Sequence, residues 1–419
     1  MLTVRPRGTN DILPGEAERW QFVERTVQAL CTAWHYREIR TPVFEHTELF
    51  LRGVGEVTDI VEKEMYTFED KGQRSLTLRP EGTAPAARAY LENKLYAEPQ
   101  PIKLYYIGAM FRYDRPQAGR FRQFHQFGVE VFGAKEPEAD AEVIALAMEF
   151  YRILGISGLE LHINTVGCPE CRHAIRQSLK EYLTPRKGLL CPACRSRAER
   201  NPLRVLDCKE TACADLVGDA PTPLDNGCDE CRRHFEGVLR YLDVAGLPYI
   251  INPRLVRGLD YYTRTAFEIL ASGVGAQSAV GGGGRYDGLV EVCGGPPTPG
   301  VGFALGLERT LLLLKEQRPE AGAASRLEVF VATAGETKET AMQILFRLRR
   351  LGIVSDADLT GRSLKAQMKY AGKLKARVVV IVGDEELARG AVTVRRMDTG
   401  QQEEVPLDDL AEVLKALLK

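Results

Sequence analysis

Absences narrow the field first. The opening residues, MLTVRPRGTNDILPGEAERW, carry no apolar run behind their basic residues, so no signal peptide is expected. No apolar stretch is long enough to span a bilayer. The expectation is therefore a cytoplasmic protein with no membrane partner. Net charge is also nearly missing: 56 Lys and Arg against 57 Asp and Glu leave −1. No global field then recruits a nucleic acid, and any such partner must be held by local basic patches. The glycine-rich run GGGGRYDG, residues 281–288, lacks the Gly-Lys-Ser/Thr ending of a P-loop, which excludes that phosphate-binding motif. No internal repeat is present, which excludes a repeat architecture.

What is present is ordinary for a soluble globular protein. The 419 residues, 44% hydrophobic and 27% charged, suffice for two or three domains at roughly 100–200 residues each. Residues 15–36 place apolar residues at helical spacing, with acids early. REIRTPVFEHTELF reads as a strand ending at Pro42. KLYYIGAMFRYD and RQFHQFGVEVFG form a long hairpin around the basic turn RPQAGR. Residues 137–154 return to helical periodicity. Between Cys168 and about Cys231 the composition shifts, and residues 172–209 carry ten Lys and Arg against three Asp and Glu. Strand patterns resume after this insertion (YIINPRLVRG, TAFEIL), and VGFALGLERTLLLLKEQ reads as a strand running into a helix. PEAGAAS has linker composition. Beyond it, strands and helices alternate as in a compact α/β domain with a largely parallel sheet.

Several stretches carry more polar chemistry than a core would choose. LVRGLDYYTRTAFEI, residues 255–269, holds Arg257, Asp260, Tyr261 and Tyr262 between apolar flanks, and buried polar groups need partners. In the hairpin, strand alternation puts Gln126 and Glu130 on one face, flanking Gly128. That gap could receive a small polar molecule, the carboxylate holding an amine or a protonated imidazole. Arg112 shares the face of Gly108 and Met110 and could meet an anion. A surface ribbon with solvated charges explains the same pattern. RPEGTAPAARA places Glu81 and Thr83 beside Gly82 ahead of an Ala-rich helix, with Thr83 a sensible N-cap. The four glycines from 281 allow close backbone approach to a ligand, or form a plain turn. In GFALGLERT, Gly302 and Gly306 leave a shallow floor for a flat ring and Arg309 could clamp a phosphate, unless it merely snorkels from a core helix.

The order of these motifs says more than any one of them. RGTNDILP, LTLRPEGT, FRYDRPQAGRFRQFHQFGVEVFG, LVRGLDYYTRT, GGGGRYDG and GFALGLERT follow one another along the chain. This series resembles the histidyl-tRNA synthetases of bacterial type, class II aminoacyl-tRNA synthetases, essentially end to end. The resemblance implies an α/β protein: an α+β catalytic core with an antiparallel sheet flanked by helices over residues 1–320, interrupted by a basic, Cys-rich helical insertion at about 168–235. It also implies an anticodon-binding α/β domain over 326–419 and a homodimer with the segment around Pro42 at its interface. The implied reaction joins histidine and ATP, with Mg²⁺ on the outer phosphates, to give histidyl-adenylate and pyrophosphate. The histidyl group then moves to tRNA(His).

Family roles carry over residue by residue. Arg112 resembles the arginine that grips the α-phosphate, and Arg257 the one set against the α-phosphate and the substrate carboxylate. Arg309 resembles the arginine near the γ-phosphate. Glu81, Thr83 and Gln126 match the groups that hold the amino group, and Glu130 and Tyr262 those that read the imidazole. Tyr261 and Tyr286 are expected to line the same pocket. Arg115, Gln117 and Arg120, in the turn between the hairpin strands, are expected to read the tRNA acceptor end. The sequence departs from the family at Asp114, where relatives more often carry glutamate; the shorter acid should still serve near ATP. Strict alternation would put Arg257 and Tyr262 on opposite faces, so Gly258 is expected to turn the chain between them.

The cysteines form three CxxC pairs, Cys168/Cys171, Cys191/Cys194 and Cys228/Cys231, with Cys208 and Cys213 as a looser fourth. Such pairs suit tetrahedral zinc, and eight thiolates could hold two structural ions. Alternatively, they are small buried residues. Two rival functions remain at this stage. One is a non-catalytic regulatory paralogue of ATP phosphoribosyltransferase in histidine biosynthesis. The other is a zinc-dependent RNA-binding protein with no enzymatic activity.

Overall fold

The computed structural model describes residues 3–418 apart from 56, 57, 59, 118, 209, 272–278, 324 and 325. Two compact units make up the chain, Met1–Ala323 and Ala324–Lys419.

The first unit begins with α1 (Ala17–Ala33), β1 (Arg37–Glu38), β2 (Phe44–His46) and α2 (Thr47–Val54). Then come β3 (Tyr66–Glu69), β4 (Ser75–Leu78), α3 (Thr83–Glu92), β5 (Ile102–Phe111) and β6 (Gln123–Phe132). Next are α4 (Pro137–Leu154) and β7 (Leu159–Thr165). The insertion holds α5 (Pro169–Leu183), α6 (Pro192–Arg200), α7 (Thr211–Leu216) and the start of α8 (Asp229–Val244). After it lie β8 (Ile250–Ile251), β9 (Thr263–Ala271), β10 (Ala279–Arg285), α9 (Leu289–Val292), β11 (Gly300–Gly306) and α10 (Leu307–Gln317).

Eight strands form one sheet in the order β1-β5-β6-β11-β10-β9-β7-β8. It is antiparallel except for its two edge pairs, β1/β5 and β7/β8. Side-chain alternation gives the sheet two unlike faces. Phe127, Val129 and Val131 of β6 point into an apolar core shared with α1, α4, α8 and α10. Gln126 and Glu130 point the other way, which leaves that face free to carry chemistry. α4 shows how the sequence frames this layer. Pro137 stands at its first position, Glu138 and Asp140 lie in its first turn, and Gly155 ends it in the left-handed region. A small sheet, β2-β4-β3, lies apart from the large one.

Local expectations need three corrections in this unit. The strand expected to end at Pro42 is shorter: β1 spans only Arg37–Glu38, a second short strand, β2, follows Pro42, which cannot donate to a ladder, and Thr47 onward is helical. In YIINPRLVRG only Ile250–Ile251 is strand, and the chain bends from Pro253 onward. PEAGAAS is no free linker at its start. Ala321 joins the main core, and the Pro319 carbonyl accepts from Arg19 at 2.6 Å. Ala324 and Ser325 lie outside the described residues.

The second unit contains β12 (Val329–Ala334), α11 (Lys338–Arg350), β13 (Ser355–Ala357), α12 (Leu364–Lys373) and β14 (Val378–Gly383). It closes with α13 (Asp384–Ala388), β15 (Ala391–Arg396), β16 (Gln402–Pro406) and α14 (Leu410–Leu418). Its sheet runs β13-β12-β14-β15-β16. The first three strands are parallel and the last two antiparallel, so the sheet is only partly parallel. The reason is connection length. Helices α11 and α12 supply crossovers, whereas the links around β15 are too short for one.

Candidate active site

Two polar groups of residues meet on the free face of the large sheet. The first surrounds a cavity of about 300 Å³, walled by Arg112, Asp114, Arg120, Gln126, Arg257, Glu268 and Arg309 among others. Arg112 follows β5, and its Nε donates to the Pro80 carbonyl at 2.7 Å. Arg257 Nη1 reaches Glu268 Oε1 at 2.9 Å. Arg309, in the first turn of α10, donates to the carbonyls of Gly119 and Ala279. Burial penalises the charges of both Arg112 and Arg309 and lowers their pKa values. Arg120 adds to the repulsion on Arg309, while Glu64 and Glu81 relieve Arg112 in part. An anion entering this cavity would ease that penalty. Gln126 Oε1 is buried and meets no hydrogen-bond partner among the described residues, so the same wall also asks for a donor.

The second group is fully buried around Glu130 of β6. Its Oε1 accepts from Thr83 Oγ1 at 2.8 Å and Tyr106 Oη at 3.1 Å, and its Oε2 accepts from Tyr286 Oη. Burial raises the carboxyl to about 8, against the pull of the three hydroxyls. Tyr261 stands between the other two aromatics, with ring centroids 4.7 Å from Tyr262 and 5.6 Å from Tyr286. The Arg257 guanidinium lies 5.9 Å from the Tyr262 ring and so links the two groups.

Several expected contacts are placed differently. Thr83 is not the N-cap: it is the first residue of α3 and its hydroxyl is used on Glu130. Glu81 caps the helix instead, accepting from the Thr83 and Ala84 amides at 2.8 Å each. Burial raises its pKa, and those amides pull it down in part. The gap over Gly128 is not open, because the Tyr106 ring fills it. A Cβ at Gly82 or at Gly128 would overlap that ring. Gly302 is no ring floor, since a Cβ there would collide with Glu130. Gly281 and Gly282 do line the cavity, and the Arg257 guanidinium packs over Gly282. Arg257 and Tyr262 reach the same side because residues 252–262 bend and turn, with Gly258 in a bend, so strand alternation does not apply. Asp260 turns away, its Oδ1 accepting from Asn201 of the insertion at 2.8 Å.

The turn between β5 and β6 exposes Arg115 and Gln117, while Arg120 lies on the cavity wall in an ion pair with Asp114. Ala118 lies outside the described residues. Sequence reasoning missed Tyr106 and Glu268. Two glycines without a turn to make, Gly82 and Gly128, were the signal for the first. A lone acid inside the strand TAFEIL was the signal for the second.

The eight clustered cysteines sort into two tetrads, Cys168/Cys171/Cys228/Cys231 and Cys191/Cys194/Cys208/Cys213. Within each, all four sulfurs lie within 4.8 Å of one another. Spacing alone could not tell which pairs combine.

A family model described as Histidyl-tRNA synthetase matches residues 8–176 and 214–310. The chain belongs to the histidyl-tRNA synthetase family. A second model, Anticodon binding domain, matches residues 328–417. The Histidine–tRNA ligase of Pelotomaculum thermopropionicum is 62% identical over 416 residues, 99% of this chain and 98% of that one. The Histidine–tRNA ligase of Desulforudis audaxviator is 63% identical over 415 residues, 99% of each chain. The apo histidyl-tRNA synthetase of S. aureus shares the fold with a TM-score of 0.82 and 42% identity, covering 99% of this chain and 100% of that one. These full-length likenesses support the synthetase and not the regulatory paralogue. The synthetase family model leaves out residues 177–213, which hold the whole second cysteine tetrad.

Proposed function

We propose that the chain is a histidine–tRNA ligase. It activates L-histidine with ATP to give histidyl-adenylate and pyrophosphate, then passes the histidyl group to the 3′ end of tRNA(His). The observation that carries this reading is one wall shared by opposite demands. Arg112, Arg257 and Arg309 call for an anion, and the unpartnered Gln126 carbonyl calls for an ammonium. A nucleotide and an amino acid brought together answer both.

The chemistry is an in-line displacement at phosphorus, so positioning and charge dominate and no protein nucleophile is needed. The substrate carboxylate attacks the α-phosphorus and pyrophosphate leaves. Arg112 and Arg257 hold the α-phosphate, and Arg309 the outer phosphates. Mg²⁺ takes oxygen ligands, and Asp114 and Glu268 put carboxylates on the cavity wall, so an ion bound to the outer phosphates fits beside them and would neutralise their charge. Glu81, Thr83 and Gln126 hold the amino group, while Glu130 and Tyr262 read the imidazole beside Tyr261 and Tyr286. A pocket built around such polar groups rejects a substrate that cannot pair with them by several orders of magnitude.

The exposed Arg115 and Gln117 meet the tRNA acceptor end, the basic insertion lies along the stem backbone, and the second unit binds the anticodon. Each cysteine tetrad holds a structural zinc ion. Charging takes place in the cytoplasm, and the working form is a homodimer. Val43, Phe44 and Phe68, exposed beside Pro42 on the small sheet, support an interface there.

Histidine-dependent ATP–pyrophosphate exchange tests the reading, with Arg257→Ala alongside. We expect exchange in the wild type and a loss of roughly 10³-fold in the variant, in line with removal of a preorganised charge donor. A folded wild-type protein with no exchange overturns it.

A further inference from the structure

The insertion and the histidine pocket share a loop. Residues 257–262 carry Arg257, Tyr261 and Tyr262 into the site, yet hydrogen bonds from the insertion fix several of their backbone carbonyls. Arg172, the residue after Cys171, donates through Nη1 to the Asp260 carbonyl at 3.0 Å and through Nη2 to the Tyr262 carbonyl. Arg204 Nη1 donates to the Arg257 carbonyl at 3.3 Å, and Asn201 Nδ2 to Asp260 Oδ1 at 2.8 Å. Val256, one residue before Arg257, is buried in the insertion's own core.

The three donors are placed by the two cysteine tetrads. Arg172 follows the first, and Asn201 and Arg204 lie on the segment between Cys194 and Cys208 of the second. A tetrahedral zinc at about 2.3 Å from each thiolate sets the sulfurs about 3.8 Å apart. The sulfurs stand 3.5 Å apart for Cys168–Cys171 and 3.9 Å apart for both Cys171–Cys231 and Cys191–Cys208. Backbone amides also point at the sulfurs: Cys228 N to Cys171 at 3.1 Å, and Cys191 N to Cys213 at 3.2 Å. The apolar core available to this segment is small, and four of its buried members are cysteines themselves. Small units of this kind depend on metal for their shape.

We propose that two zinc ions, one in each cysteine tetrad, hold the histidine-pocket loop 257–262 in its working position through Arg172, Asn201 and Arg204. The insertion is thus a metal-dependent positioning element for amino-acid binding, besides its part in tRNA contact. This inference rests on the synthetase reading only for its kinetic consequence; the metal content and the loop's order stand apart from it.

The test compares full-length wild type, Cys194→Ser and Arg172→Gln. Metal analysis should find two zinc ions per chain in wild type, one in Cys194→Ser and two in Arg172→Gln. Hydrogen–deuterium exchange should show faster exchange at residues 257–262 in both variants. In pyrophosphate exchange the KM for histidine should rise about tenfold in both. Fewer than two zinc ions in wild type overturns the metal assignment. Unchanged loop exchange in Arg172→Gln overturns the coupling, and that variant keeps the test open should Cys194→Ser fail to fold. A wild type with two zinc ions and a loop that loosens in the variants, but no histidine-dependent activity, would count against the synthetase reading alone.

Discussion

Glu130 concentrates the residue-scale physics. Its carboxyl lies at about 8 because burial disfavours the charged form. The unfolded chain releases that proton near the ordinary carboxylate value of about 4.3. Between those two values the folded state binds more protons than the unfolded one, so this group's contribution to stability falls as pH rises from about 4.3 to 8. The ligand-free protein should therefore lose melting temperature across that window, and Glu130→Gln should flatten the decline. The same variant should bind histidine at least 10²-fold more weakly, because an arriving imidazolium would draw the proton off Glu130 and form an ion pair, which an amide cannot do; calorimetry at pH 7 reads both free and bound states. Arg309→Ala should behave differently, raising the KM for ATP with histidine affinity unchanged, since Arg309 lines the cavity and is proposed to hold the outer phosphates, whereas Glu130 is proposed to read histidine. A fall in histidine affinity equal to that of Glu130→Gln would show that the two compartments do not divide the work.

Elements explain why some of this was legible and some was not. The long hairpin β5/β6 and helix α4 could be read from period alone, because alternation and helical spacing are set by backbone geometry. Face assignment within the hairpin followed from the same rule, and it correctly grouped Gln126 with Glu130. What alternation could not give was occupancy. Gly128 looked like a vacancy for a ligand, whereas a neighbouring strand sends Tyr106 into that space, and only tertiary packing decides this. The loop 252–262 failed for the opposite reason: Asn252-Pro253 ends the strand, so a rule for strands had nothing to act on. The cysteine pairing was likewise a matter of chain path, since α5 and α8 bring Cys168/Cys171 to Cys228/Cys231 from distant positions. The β5–β6 turn yields a further expectation. Arg115→Ala should reduce tRNA charging about tenfold and leave pyrophosphate exchange intact, because Arg115 is exposed while the cavity arginines are not. Equal losses in both assays would place Arg115 in the chemistry.

At the scale of the whole molecule, the two units have cores that share no residues. The second unit's apolar clusters draw on residues between Leu327 and Leu418, and the first unit's main core on residues up to Ala321. Every residue proposed for adenylate formation lies in the first. A chain ending at Ala323 should keep histidine-dependent pyrophosphate exchange within a few-fold of the full chain and lose tRNA charging by orders of magnitude, which a paired exchange and charging assay reads directly. Charging by the full chain should also weaken steeply with salt, because contacts to a phosphate backbone release counterions.

Gly82, Tyr106 and Gly128 come from three separate elements yet occupy one volume. Inheritance must treat them as a single character. Scanned one at a time, each should look immutable: alanine at either glycine drives a methyl into the ring, and overpacking of this kind typically destabilises by about 1–3 kcal/mol. Shrinking residue 106 to alanine should make alanine at 128 harmless. The path between synthetases that differ here therefore runs through the tyrosine first, and a lineage that keeps the ring has both glycines locked behind it.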